Sequence, residues 1–173
     1  MQTKINYQAE TCSCCGQTKT YLMTIDAGTC DIVRAISAAV RRKQENMVHV
    51  RNEMELGKNQ LEYNKMIREG YLTSNMVGNL SKARSQGLIA RVEGKPGFYC
   101  LTHKGAEFLK GASIPKYAIM SKVTGHNIGY WFEIAERVTM KDLIKNGDYW
   151  EIDFNIVDRA VVLNMPKTMS FAF

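Results

Sequence analysis

Three cysteines fall within four residues, Cys12-Ser13-Cys14-Cys15, and Gly16 follows them. Cys12-x-x-Cys15-Gly16 is half of a zinc knuckle: two thiolates on one loop chelate one ion, and the glycine permits the tight turn. A closed tetrahedral site needs two more ligands. Cys100-Leu101-Thr102-His103 offers a second chelating pair at the same spacing, so the expected set around zinc is Cys12, Cys15, Cys100 and His103. A different completion recruits Cys30, with Cys14 or a histidine as its companion. The plain alternative for Cys30 and Cys100 is a pair of buried core thiols.

A second chemistry is written between Thr73 and Gln86. On a helix capped by Thr73 or Ser74 and ended by Gly87, the stripe Asn75, Asn79, Lys82 and Gln86 faces outward, flanked by Ser81, Arg84 and Ser85. Asn and Gln pair bidentately with adenine, and Lys reaches guanine or phosphate. A solvated polar face is the plain alternative. Downstream, LIARV and FYCLT flank the turn EGKPG, which predicts a β-hairpin carrying Arg91 and Lys95 at or near its tip, placed for phosphates. Catalytic templates are missing: the sequence has no HExxH, GxSxG, Walker A or GxGxxG pattern. His49, His103 and His126 have no paired acid in a recognisable motif, so the expectation is a protein without enzymatic activity.

The elements that position these groups follow from periodicity. Residues 31–43, DIVRAISAAVRRK, have helical apolar spacing, with Thr29 or Asp31 as the N-cap and Arg41, Arg42 and Lys43 at the C-terminal end. Met47–Val50 reads as a minor strand. Residues 53–69 form a polar helix, interrupted or restarted near Gly57 and stopped at Gly70. His103–Lys110 closes the series as a short helix ended by Gly111. Helices, a capped helix, a hairpin and a closing helix give the order of a winged helix-turn-helix, with the capped helix in the DNA major groove.

Several spaced positions carry a resemblance. Thr11-Cys12-Ser13-Cys14-Cys15-Gly16, Leu72-Thr73, Asn79-Leu80-Ser81-Lys82-Ala83-Arg84, Gly87-Leu88-Ile89, Gly97-Phe98-Tyr99, Leu101-Thr102, Gly105-Ala106, Phe108-Leu109, Gly111 and Ile114-Pro115-Lys116 are the residues concerned. Over residues 11–116 the chain resembles a group of bacterial and phage proteins with an N-terminal cysteine knuckle and a winged-helix body. The resemblance implies that fold and a bacterial or phage setting, and says little about activity. The chain departs from the pattern in a longer Asn52–Glu69 stretch and in having Cys100 and His103 on the hairpin side.

Charge sharpens the division. The chain of 173 residues has a net charge of +6, and residues 31–112 hold 14 Lys/Arg against 8 Asp/Glu. The flanks, 1–30 and 113–173, are each balanced. A basic excess confined to one segment is the expected footprint of a polyanion-binding module. The domains expected are a cysteine-knuckle segment 1–30, a winged-helix domain 31–112 and a β-rich appendage 113–173, an α+β fold. The last part holds 9 of the 16 aromatic residues, strand-like runs KYAIMSKV, NIGYWFEI and YWEIDFNIV, one helical turn over Met140–Lys145, and an apolar ending. It either packs on the core or serves as a homodimer or partner interface.

An N-terminus without an apolar h-region, the absence of an 18-residue apolar stretch and an odd cysteine number predict a reducing, cytoplasmic setting, the host cytoplasm for a phage protein. Two functions are expected in competition. One is duplex DNA binding by a phage or mobile-element regulator, using Asn75, Asn79, Lys82, Arg84, Gln86, Arg91, Lys95, Arg41 and Arg42. The other is a module that grips and inhibits a host protein, such as RNA polymerase or a CRISPR effector.

Overall fold

In the computed structural model, which describes residues 8–57, 62–130 and 136–144, the elements gather around one helix, α1 (Ala27–Lys43). Its apolar residues recur on more than one face, so Ile32, Val33, Ala35, Ile36, Ala39 and Val40 are all buried. Burial of each branched side chain contributes about 2 kcal/mol. Asp26 caps the helix, accepting the Thr29 N–H at 2.9 Å. The cap thus lies before both residues expected from sequence. Arg41, Arg42 and Lys43 occupy the last turn as expected.

Beyond α1 come β2 (Val48–His49), α2 (Val50–Gly57) and α3 (Tyr63–Glu69). The polar helix expected over 53–69 is therefore two helices. The break was anticipated near Gly57, and residues 58–61 lie outside those described. Glu53 on α2 is fully buried and is held by Arg42, while Lys43 donates at 3.2 Å, tying α2 to the end of α1. Arg42 also stacks 4.5 Å from the centre of the Tyr71 ring.

α3 ends at Gly70, where φ is +82° and a Cβ would sit 2.2 Å from the Ala39 backbone nitrogen. Only glycine satisfies both the left-handed conformation and that close approach to α1. Gly70–Thr73 then turns the chain into α4 (Ser74–Val77), whose N-cap Thr73 accepts from the Met76 N–H at 3.2 Å. α5 (Leu80–Ser85) follows. The single helix expected over 74–86 is broken. Asn79 donates its side-chain amide to the Asn75 carbonyl at 3.2 Å, and its own N–H turns to Met76 O at 2.9 Å. A side chain has taken the carbonyl that the helical ladder would use.

The hairpin forms as expected from β3 (Ile89–Arg91) and β4 (Phe98–Leu101), and β2 adds on the far side of β4, giving an antiparallel sheet of order β2-β4-β3. α6 (His103–Leu109) closes this unit, with Thr102 as its N-cap. The Thr102 hydroxyl accepts the Gly105 N–H at 3.0 Å and donates to the Gly87 carbonyl at 2.5 Å.

The flanking segments share a second sheet. β1 (Thr20–Thr24) pairs antiparallel with β6 (Tyr117–Ser121), and β6 pairs with β7 (Asn127–Tyr130), in the order β1-β6-β7. β5 (Ile114–Pro115) pairs with β8 (Arg137–Val138), and α7 (Met140–Leu143) follows. The N-terminal segment is thus joined to the β appendage, and residue 30 falls inside α1 rather than at an edge. The expected run YWEIDFNIV and the apolar C-terminus lie outside the described residues. Among the described residues no helix is long and apolar enough to cross a membrane. The architecture is mixed, α+β in the coarse sense.

Gly105 fixes how closely α6 meets the hairpin, because a Cβ there would lie 2.0 Å from the Leu88 carbonyl oxygen. Helix propensity favours alanine by about 1 kcal/mol, but a clash with fixed backbone costs more. Gly105→Ala is expected to destabilise the fold by about 3 kcal/mol, read as a lower urea midpoint at unchanged m-value.

Candidate metal centre

The three cysteines lie on a tight loop closed by a bridge between Thr11 and Thr18. The Cys12 N–H donates to Gln17 O at 2.7 Å, and the Gly16 N–H donates to Cys12 O at 2.8 Å. Gly16 has φ +71°, the conformation that a knuckle turn demands. The loop leads straight into β1, and β6 braces it, since the Lys122 N–H donates to Lys19 O at 2.7 Å. Cys12, Cys15, Gln17, Thr18, Lys19, Lys122 and Val123 line one cleft.

The Sγ atoms of Cys12, Cys14 and Cys15 all lie within 4.8 Å of one another, and those of Cys12 and Cys14 are 2.9 Å apart. Zinc–thiolate bonds of about 2.3 Å put ligand sulfurs roughly 3.8 Å apart in a tetrahedron, so a small spreading of this pair accommodates an ion. Cys14 hydrogen-bonds the Cys12 sulfur through its side chain, and the backbone N–H groups of Cys14 and Cys15 point to the same atom. Together they pull the Cys12 thiol down to about 7, while the same thiol–thiol bond pushes Cys14 up. Stabilised thiolate is what a metal or an electrophile requires. These three close cysteines can hold a metal ion.

The remaining expected ligands are elsewhere. Cys100 lies in β4 opposite Ala90 and is buried, with its thiol pushed up by desolvation. His103 is the exposed first residue of α6. Cys30 is buried in α1, and desolvation raises its thiol to about 12. Equal C-x-x-C and C-x-x-H spacing gave no information on which wall of the fold each pair occupies. Among the described residues, Cys14 is the one that joins Cys12 and Cys15. Its adjacency in sequence was the available signal.

The expected DNA-reading stripe is also redistributed. Asn75 is exposed on α4, whereas Asn79 packs against the first turn of α1, within 2.7 Å of where a Gly28 Cβ would stand. Lys82 pairs with Asp26 at 2.5 Å, both side chains remaining partly open to water. Burial opposes ionisation of Asp26, but the hydrogen bonds from Lys82 and Thr29 outweigh it and hold the carboxyl below its usual range. Gln86 is fully buried at the end of α5, with both side-chain polar atoms lacking a partner among the described residues, and so leaves the outward face. At the neighbouring residue the second sheet makes contact, the Asn127 side chain donating to Ser85 O at 2.9 Å.

The cations fare differently. Arg84 and Arg41 are half-buried, and Arg42 is engaged by Glu53. Arg91 is exposed, its Nε donating to the Tyr99 hydroxyl at 3.2 Å, and exposed Lys95 lies 5.7 Å from the Phe98 ring centre. Comparison with protein-family models, curated proteins and solved structures finds no match to the chain.

The thiol chemistry sorts the five cysteines. In metal-free, reduced protein, Cys12 is expected to alkylate first with iodoacetamide, its rate rising between about pH 6 and pH 8 as the thiolate forms. Cys14→Ser should shift that rise to higher pH. Cys30 and Cys100 should label only on unfolding, as peptide mapping would show.

Proposed function

We propose that the chain is a winged-helix protein that binds duplex DNA, with the cysteine loop as a separate metal-binding appendage. The observation that carries this reading is the hairpin β3–β4 with its exposed Arg91 and Lys95. It directly follows two helical units joined by the turn Gly70–Thr73, within the segment that holds the whole basic excess. A turn of that length containing glycine suits a helix-turn-helix. The third strand β2 beside β4 and the closing helix α6 support the winged form. Asn75 and Arg84 would meet the groove, and Arg91, Lys95 and Arg41 the phosphates. Asn79, Lys82 and Gln86 are removed from the base-reading set, because each makes or occupies an internal contact.

A second reading, a module that grips a host protein, draws on that same internal use of Lys82 and Gln86, which weakens base readout. A basic surface then matches an acidic patch on the partner. A pull-down from bacterial lysate with nuclease present separates the two: a retained specific partner favours the second reading.

Fluorescence titration of labelled duplex at several salt concentrations tests the first. Log Kd should rise linearly with log salt, and Arg91→Ala or Lys95→Ala should each reduce the slope by about 1. Lys82→Ala should leave the slope unchanged and lower Tm by about 2 °C through loss of the Asp26 pair. An unchanged slope in the hairpin variants removes the hairpin from the interface.

A further inference from the structure

The cysteine loop has a property that a structural zinc knuckle lacks, and residue accounting exposes it. The chain contains 5 cysteines and 3 histidines, and every one lies among the described residues. Three cysteines converge at the loop. Cys30 and Cys100 are buried among core side chains, and none of His49, His103 and His126 belongs to the group of convergent ligand atoms. No further thiolate or imidazole ligand can come from residues outside the described set, since those residues include no Cys or His. Among the described residues no carboxylate joins the group either. Four protein ligands close a structural site, whereas three leave a position for an exchangeable ligand.

The surroundings indicate what that ligand is. Cys14 and Cys15 are exposed, so the fourth direction is open to solvent. Three thiolates on a divalent ion leave one net negative charge, and the adjoining cleft is lined by Lys19 and Lys122. Two basic residues at the cleft favour a complex with still more negative charge, and the existing sulfurs favour a soft donor. We propose that Cys12, Cys14 and Cys15 form an open three-thiolate site for one thiophilic divalent ion of the zinc class, whose fourth position takes an exchangeable small thiolate. Binding of the ion displaces the thiol protons to solvent, and the entering thiol loses its proton in the same way. No bond is oxidised or reduced.

Co2+ provides the probe. The full chain, reduced and stripped by chelator under anaerobic conditions, is titrated with Co2+ and the sulfur-to-cobalt charge-transfer band is followed. One equivalent should saturate the band, and Zn2+ should then bleach it. Adding 2-mercaptoethanol should raise its intensity by about one third, as four cobalt–sulfur bonds replace three. Cys14→Ser should lower it by about one third and weaken Zn2+ binding by ~100-fold, with an unchanged far-UV spectrum because the residue is exposed. Cys100→Ser and His103→Ala should alter neither. A band indifferent to added thiol means that the protein fills the fourth position, and overturns the proposal. A Cys14→Ser protein that matches the wild type, or metal-dependent dimerisation that supplies the fourth ligand, overturns it as well. DNA binding plays no part in these readouts, so failure of one reading leaves the other standing.

Discussion

The burial of α1 sets the terms for every other element. Eleven of its 17 residues are buried, including Ser37 and Arg34, and it meets α3, α4, α5, α6, α7, β2 and β4. A helix covered on so many sides cannot be amphipathic in the ordinary sense, and its small residues decide how near its neighbours come. Ala38 and Ala39 admit the Gly70 turn against bare backbone. Gly28, within its first turn, admits Asn79. The spacing of α3, α4 and α5 is thus dictated by where α1 lacks side-chain bulk, and the polar ties at its two ends hold α5 through Asp26–Lys82 and α2 through Arg42–Glu53.

These two ties differ in kind. Asp26 and Lys82 are partly open to water, so their attraction is weak and sensitive to salt. Its stability contribution is complete at neutral pH, since the Asp26 carboxyl is held below its usual range and gives up its charge only in acid. Glu53 has no exposed side-chain surface and faces two cations, so its charge is an obligation of the fold rather than an ornament. A basic surface built around such pairs has fewer disposable cations than its count of Lys and Arg suggests.

Local signals in the sequence identified what local physics determines. The apolar spacing of Ile32–Val40, the stop at Gly70, the cap at Thr73 and the hairpin around Glu93–Gly97 all depend on neighbours a few residues away. Three features were illegible for stated reasons. The break between α4 and α5 arises because Asn79 captures the Asn75 carbonyl, a choice that helical periodicity does not record. Gln86 is polar yet buried, so its type argued for the wrong face. Matched spacing implied a partnership between Cys12–Cys15 and Cys100–His103, while the β2-β4-β3 sheet consigns Cys100 to the core and the sulfur that comes close to Cys12 and Cys15 is Cys14. Cys14 needed no long-range information, only a loop tight enough to bring three thiols together.

Pairing of β1 with β6 sets Thr20 opposite Ser121, and between them lies every element packed on the central helix up to β5. Made in the N-to-C direction, the chain presents its three clustered thiols before the strand that braces them. The cysteine loop therefore passes through a period of synthesis without that support and with reactive sulfur. Its protection in that interval falls to the reducing capacity and metal supply of its surroundings, and its final geometry waits on a strand roughly a hundred residues behind it.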